Sequence, residues 1–383
     1  VDNLNLKIGI LGGGQLGKML YQAGSKMGLN ISILENSLDC PASGVCPHVS
    51  IGDIKKYEDV MAFGQDKDII TIEIENVNLK ALFDLEKSGV KVYPKPQSLE
   101  IIKDKGLQKE FYKKHSIPTT DFQLFNSKEE VIQEVLSGNI SWPFVQKSRT
   151  EGYDGKGVVV VLSESDLSEM LDAPCVIEDL ADIDKEVSVI VARKSNGDIV
   201  SFPAVEMEFH PTANLVEFLF SPSSLTSEQE ATCDVLARSV ARRIDIVGLL
   251  AVEMFLTKKG NILVNEVAPR PHNSGHHTIE ACVTSQYEMH LRAIMDLPLG
   301  DTSLVRPAVM INLLGEPDYE GPTYYKNIDE ALKISGVYPH LYGKTTTKPY
   351  RKMGHVTIVD TSLESAKEKA RKIQKTLKVI SQS

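Results

Sequence analysis

The stretch Lys7–Leu11, KIGIL, followed at once by GGGQLG and a helical pattern over Lys18–Met27, constrains the fold more than any other feature of the chain. A short apolar run that ends in glycines and feeds a helix is the opening unit of a parallel α/β sheet. The pattern recurs: Ile31–Leu34 and Ile69–Ile74 read as strands, with a helical segment before the latter and Val90–Tyr93 after it. Pro94 and Pro96 break the rhythm and set a domain boundary near residue 97. Leu99–His115 then reads as one helix. After Pro118 the strands Phe144–Ser148, Val158–Leu162, Cys175–Glu178, Glu186–Arg193 and Ile199–Glu206 lack strict alternation with helices, which predicts a second, α+β domain over residues 98–296. A third segment, 297–383, carries short strands and ends in a lysine-rich helix, Leu363–Leu377, most simply a solvated face.

Gly12, Gly14 and Gly17 fit G-x-G-x-x-G, and Glu35 ends the next strand where a ribose-binding acid sits in a dinucleotide enzyme. The spacing suits a nicotinamide-dependent oxidoreductase. The same glycines also allow close strand–helix packing in any doubly wound domain, or cradle a different phosphate or ribose.

A second glycine-rich loop lies in VQKSRTEGYDGKGVVVVL, Val145–Leu162. It does not fit the phosphate loop G-x-x-x-x-G-K-[ST], because four valines follow Gly157 and prefer a strand to a helix. The loop therefore reads as a hairpin tip. A bare turn would satisfy the glycines. However, Lys147 lies just upstream, the tip exceeds a minimal turn, and backbone N–H groups between Gly152, Gly155 and Gly157 could form an anion-binding nest.

The strongest residue-level signal is GLLAVEMFLTKKGNILVNEVAPR, which reads as strands Gly248–Leu256 and Ile262–Val267 about the turn Lys258-Lys259-Gly260-Asn261. Folding about the Lys259–Gly260 bond sets Glu253 opposite Glu266, where two like charges destabilise the pair unless something compensates. A hard divalent cation with oxygen ligands is the natural candidate, Mg²⁺ first and Mn²⁺ as a substitute. In a regular strand Asn265 would face the other side, so its participation needs a twist or bulge. The alternative, both glutamates in solvent, conflicts with the apolar run around them.

With 383 residues, 42% hydrophobic and 25% charged, the chain has room for two or three domains. A net charge of −10 argues against a broad nucleic-acid surface while leaving room for local cationic pockets. No secretory leader is evident and no apolar run reaches membrane-spanning length, so a soluble, cytoplasmic protein without a membrane partner is expected. Five scattered cysteines fit reduced thiols, and Cys40, Cys46 and His48 lack a second ligand pair at zinc-finger spacing.

The lysine-bearing strand, GYDGKG, Glu178 and Glu186, VEMF and NEVAPRPHNSGHH, in that order, resemble the ATP-grasp superfamily. GGGQLGKML, TIEIENV, GYDGKG, NEVAPRPHNSGHHTIEAC and RKMGH resemble more narrowly the 5-(carboxyamino)imidazole ribonucleotide synthases of bacterial and fungal purine biosynthesis, from Lys7 to about Thr357. The resemblance implies an N-terminal Rossmann-like domain (1–97), a central ATP-grasp domain (98–296) with a mobile lid over about 117–180, and a small C-terminal domain (297–383). It implies the reaction ATP + bicarbonate + 5-aminoimidazole ribonucleotide → carboxyamino product + ADP + phosphate through carboxyphosphate, in a protein that is usually dimeric.

For ATP the resemblance implies phosphate contacts from Lys105 and Lys147, a lid loop of Gly152, Tyr153, Gly155 and Gly157, adenine at Glu178, Asp179 and Leu180, ribose at Glu186, and further contacts from His210 and Asn265. Glu253 and Glu266 match the magnesium ligands. Arg270, His272 and Asn273 offer bicarbonate a guanidinium fork, an imidazole and an amide within four residues; His276 and His277 take no role beyond the loop, and a histidine metal cluster there is the alternative. The ribonucleotide falls to Gln15, Glu73, Tyr153, Asp154, Lys156, Lys344 and Arg351, with Asp154 orienting or deprotonating the amine. Without the resemblance Lys344 and Arg351 read as surface charge. Lys105 stands where relatives often have arginine, Lys156 varies with arginine, and Val158 replaces a frequent glutamine. Other ATP-grasp ligases, such as formate-dependent glycinamide ribonucleotide transformylase, and a non-catalytic nucleotide sensor are the competing readings.

Overall fold

The computed structural model describes residues 3–150, 152, 157–209 and 215–382. The N-terminal alternation folds into a five-stranded parallel sheet of β1 (Lys7–Leu11), β2 (Asn30–Glu35), β3 (Val49–Ile51), β4 (Ile69–Ile72) and β5 (Lys91–Tyr93), in the order β3-β2-β1-β4-β5. Ile8, Ile10, Ile31, Ile33, Ile69 and Ile70 are all buried, because helices cover both faces; this is why the strands read as unbroken apolar runs. The chain leaves β1 towards β2 on one side and returns as β4 on the other. That reversal opens a crevice at the carboxyl ends of β1 and β4, where ligands of open α/β sheets bind. β4 stops at Ile72, two residues short of the expected strand, and delivers Glu73 into the crevice.

The helix expected over Leu99–His115 is two helices, Pro96–Ile102 and Lys105–Lys114. Asp104 breaks the run by capping the second: its Oδ1 accepts from Gly106 N at 2.7 Å and Leu107 N at 3.1 Å. The break puts Lys105 in the first turn.

The second segment opens with a four-stranded sheet of β6 (Phe122–Phe125), β7 (Phe144–Ser148), β8 (Val158–Val161) and β9 (Cys175–Asp179), ordered β6-β9-β7-β8. β7 and β8 are the antiparallel hairpin expected around the glycine-rich loop, with Lys147 opposite Val158. A nine-stranded sheet follows, to which this segment gives six strands: β10 (Ile183–Arg193), β11 (Ile199–Ser201), β12 (Val205–Phe209), β13 (Val216–Ser221), β14 (Gly248–Thr257) and β15 (Ile262–Ala268). The single strand expected over Ile199–Glu206 is split at Phe202-Pro203, since Pro203 has no N–H for a ladder.

The third segment adds β16 (Ala308–Leu314), β17 (Gly321–Lys326), β18 (Val337–Leu341), β19 (Thr346–Thr347), β20 (Lys352–Val359) and β21 (Lys378–Ser381). β16, β20 and β18 complete the nine-stranded sheet, whose order is β15-β14-β10-β12-β13-β16-β20-β18 with β11 beside β10. The helix Leu363–Thr376 buries Ala366, Ala370 and Ile373; Lys372 and Lys375 are exposed as expected, whereas Lys367 lies over the Phe220 ring and Lys369 pairs with Asp360. Among the described residues no helix is long and apolar enough to cross a membrane.

Candidate active site

The hairpin β14–β15 sets Glu253 against Glu266, but by a different route from simple folding about the turn. Near the turn the partners are Leu256 with Ile262 and Met254 with Val264; beyond it, Glu253 meets Glu266. Asn265 is the extra residue of a β-bulge, so the irregularity it requires is present. Burial and the charges of Glu266 and Glu186 push the Glu253 carboxyl up, whereas the Lys105 ammonium, ion-paired with Glu266, holds Glu266 well down. Two facing carboxylates pulled in opposite directions mark a site short of positive charge, and their hard oxygens suit a divalent cation.

Lysines and a third acid flank this pair. Lys147 Nζ donates to Asn265 Oδ1 at 2.7 Å and lies 3.1 Å from Glu178 Oε1. Burial pushes Glu178 up, but the Lys147 and Lys109 ammoniums outweigh it and hold the carboxyl below its usual range. Glu186, on β10, is pushed up to about 7 by burial, against the pull of Lys147. Asp179, the last residue of β9, and Leu180 after it follow Glu178 and are both exposed. Gly152 and Gly157 lie side by side in the glycine-rich loop after β7: Ser148 N donates to Gly157 O at 2.8 Å, and Gly157 has φ +81° with Gly152 against it. Tyr153, Asp154, Gly155, Lys156 and His210 lie outside the described residues.

The PRPHN loop runs from the end of β15 past these carboxylates. His272 Nε2 is 3.4 Å from Glu253 Oε1, and its Nδ1 is 2.9 Å from Ser274 Oγ. Arg270 Nε donates to Glu75 Oε2 at 2.9 Å, which ties the loop to the N-terminal crevice. Asn273 makes a reciprocal amide pair with Asn312 of β16, at 2.8 and 2.9 Å. His276 and His277 are buried, and His276 stacks on His355 with ring centroids 4.4 Å apart. Among the described residues no three His, Cys, Asp or Glu side chains gather for a metal ion, there or at Cys40, Cys46 and His48.

In the N-terminal crevice Glu73 accepts from Gly14 N at 3.0 Å and Gly17 N at 2.9 Å, and Glu35 accepts from Gly13 N at 2.8 Å. Amides that would receive a pyrophosphate in a dinucleotide enzyme are held by the chain's own carboxylates. Burial pushes the Glu73 carboxyl up, against those two amides. Gln15 begins the adjoining helix, Gln15–Lys26. From the same helix Lys18 donates to Leu341 O at 2.9 Å, and Tyr342 is buried in the N-terminal core, so the third segment is anchored there. Just beyond that anchor Lys344 Nζ donates to Lys352 O at 2.7 Å, and Arg351 donates to Thr346 O at 2.5 Å.

Four contributors went unread in the sequence: Lys109 and Thr120 at Glu178, Glu75 at Arg270, and Lys352, whose charge acts on Glu253. Glu75 and Lys352 had a local signal, their places in TIEIENV and RKMGH.

The lysines, the paired carboxylates and the four-stranded sheet beside them define an ATP-grasp enzyme. An ATP-grasp domain model matches residues 110–287, a ribonucleotide synthetase preATP-grasp domain model 6–103, and a phosphoribosylaminoimidazole carboxylase C-terminal domain model 308–369. The chain is 37% identical over 382 residues to phosphoribosylaminoimidazole carboxylase of Ogataea methanolica, covering 96% of this chain and 69% of that protein. It thus spans about two thirds of that relative's length. It is 34% identical over 373 residues to N5-carboxyaminoimidazole ribonucleotide synthase of Synechococcus elongatus, covering 96% and 92%. Among solved structures, the Thermotoga maritima N5-carboxyaminoimidazole ribonucleotide synthetase superposes with TM-score 0.90 at 42% identity, over 98% of this chain and 100% of that one. An Aspergillus clavatus synthase in complex with ADP and 5-aminoimidazole ribonucleotide gives 0.89 at 29%, over 97% and 98%. The chain belongs to the N5-carboxyaminoimidazole ribonucleotide synthase family of ATP-grasp ligases.

Proposed function

We propose that the chain carboxylates the amine of 5-aminoimidazole ribonucleotide with bicarbonate, splitting ATP to ADP and phosphate. One observation carries the reading: the PRPHN loop touches the carboxylate hairpin through His272 and the N-terminal crevice through Arg270, so one loop joins an ATP-type site to a second pocket.

Glu253 and Glu266 would hold Mg²⁺, with Mn²⁺ as a substitute; bound there, the ion would neutralise phosphate charge during transfer. Lys105 and Lys147 meet the phosphates of ATP, Glu178 with Asp179 and Leu180 the adenine, Glu186 the ribose, and Asn265 holds Lys147 at the bulge. The lid residues Gly152, Tyr153, Gly155 and Gly157 close over the phosphates, and His210 joins the nucleotide site. A bicarbonate oxygen attacks the γ-phosphorus and ADP leaves; Arg270, His272 and Asn273 hold the carboxyphosphate. The ribonucleotide amine then attacks the carboxyl carbon, directly or as released CO₂, and phosphate departs. Gln15 and Glu73 line the aminoimidazole, Asp154 and Lys156 approach from the lid, and Lys344 and Arg351 take the ribose phosphate. Domain limits of 1–97, 98–296 and 297–383, a homodimer and a cytoplasmic setting complete the reading.

The test is ADP release in a coupled assay with Mg²⁺, ATP and labelled bicarbonate, with and without 5-aminoimidazole ribonucleotide. Stimulation with label trapped in the product is expected. ADP release without label would reduce the protein to a stimulated ATPase, and a response to glycinamide ribonucleotide and formate would favour the transformylase alternative.

A further inference from the structure

Lys109 lies one helical turn beyond Lys105, and its side chain is as buried as that of Glu178, each 3% exposed. An ammonium has three donors and no acceptor. All three are engaged: Lys109 Nζ is 2.7 Å from Thr119 Oγ1, 2.8 Å from Thr120 Oγ1 and 3.0 Å from Glu178 Oε2. Thr120 Oγ1, receiving from the ammonium, must turn its own proton to Glu178 Oε2, 2.5 Å away. Two donors on Oε2 leave no room for a proton there. Glu178 Oε1 is buried and accepts no hydrogen bond; Lys147 covers it at 3.1 Å while donating to Asn265.

These contacts divide labour between the two lysines. Lys147 can exchange its partners for a phosphate, which uncovers Oε1. Lys109 has no donor to spare. We propose that Lys109, acting through Thr120, is the positioning residue that keeps Glu178 an ionised acceptor with Oε1 free for the base, and that this unit selects a 6-amino purine over a 6-oxo purine. A carboxylate accepts from the exocyclic amine of adenine and repels the 6-carbonyl of hypoxanthine; a protonated carboxyl would donate to that carbonyl. The inference rests on the assignment of adenine to Glu178.

The experiment compares kcat/KM for ATP and inosine triphosphate in the full chain and in Lys109→Met, Thr120→Val and Glu178→Ala, from pH 6.5 to 8.5. Besides Lys109, the groups acting on Glu178 are Lys147 from β7 and, in the same helix as Lys109, Lys105 and Tyr112. The unaltered protein should prefer ATP. Lys109→Met should raise the KM for ATP roughly tenfold or more, narrow the preference, and regain part of it as rising pH ionises Glu178. Thr120→Val, which keeps the shape of the side chain, should act in the same direction more weakly and carries the test if Lys109→Met does not fold. If Glu178→Ala alters the preference while Lys109→Met and Thr120→Val keep that of the unaltered protein, the role of Lys109 is overturned and the adenine assignment stands. If Glu178→Ala changes neither the preference nor the KM for ATP, both are overturned.

Discussion

Glu266 has two claims on its charge, the Lys105 ammonium already paired with it and the cation the hairpin suits. Glu266→Gln keeps the shape and removes the charge, so Mg²⁺-dependent turnover should fall by roughly a hundredfold or more while the far-UV spectrum is retained. Near-normal turnover would take Glu266 out of the metal site. Lys344 offers a contrast: its Nζ donates to the Lys352 carbonyl and lies 5.5 Å from the centroid of the Tyr342 ring. Lys344→Ala should raise the KM for the ribonucleotide by roughly tenfold or more with little change in that for ATP; the reverse pattern would cancel its phosphate role. What could be read at this scale followed distance along the chain. Glu253 and Glu266 are 13 positions apart, and the pairing of one hairpin exposed them. Lys109 sits among Lys105, Lys113 and Lys114 with nothing local to mark it; only the fold, which brings Glu178 to it, separates it from a solvated lysine.

The elements around the glycine loop show how tightly local geometry is committed. A Cβ on Gly17 would stand 2.5 Å from the Gly12 carbonyl oxygen, backbone against backbone, whereas one on Gly14 would meet Glu73 Oε1 at 2.6 Å. Gly17→Ala should therefore lower stability by about 1–3 kcal/mol in urea unfolding, with the nucleotide constants following only through loss of folded protein. Gly14→Ala should instead displace Glu73 and raise the ribonucleotide KM in protein that remains folded. Equal effects of the two on stability alone would contradict the division. Strand runs and this loop were legible because apolar continuity and glycine spacing are local. The helix break at Asp104 and the bulge at Asn265 were harder: a capping aspartate looks like any charged helix residue until the turn after it closes, and a bulge shows only against its partner strand.

At the scale of the whole molecule, buried histidines join the segments. Leu249 N–H donates to His290 Nδ1 at 3.2 Å, so Nε2 holds the proton and faces Thr71 of β4 at 2.9 Å. Burial pushes His290 down to about 3 and His277 to about 4, and holds His276 and His355 well below the usual range. An unfolded chain takes up these protons near pH 6.5 and the folded one does not, so their contribution is complete above that pH. It is lost as pH falls from about 6.5 towards 4, by up to roughly 1.4 kcal/mol per pH unit for each group. Urea midpoints at pH 7.5, 6.5 and 5.5 should fall in that order, and a flat profile would contradict the neutral state of these rings.

The nine-stranded sheet has a further consequence. Five strand spacings separate β14 from β20, roughly 24 Å if the sheet were flat. Yet the loop after β15 reaches β16 through Asn273 and Asn312 and meets β20 through His276 and His355. The sheet is bent like a bow, and residues 269–277 are its string. Where the string is fastened sets the gap between the carboxylate hairpin and the N-terminal crevice, so that spacing rests on Asn312 and His355, residues with no assigned substrate contact.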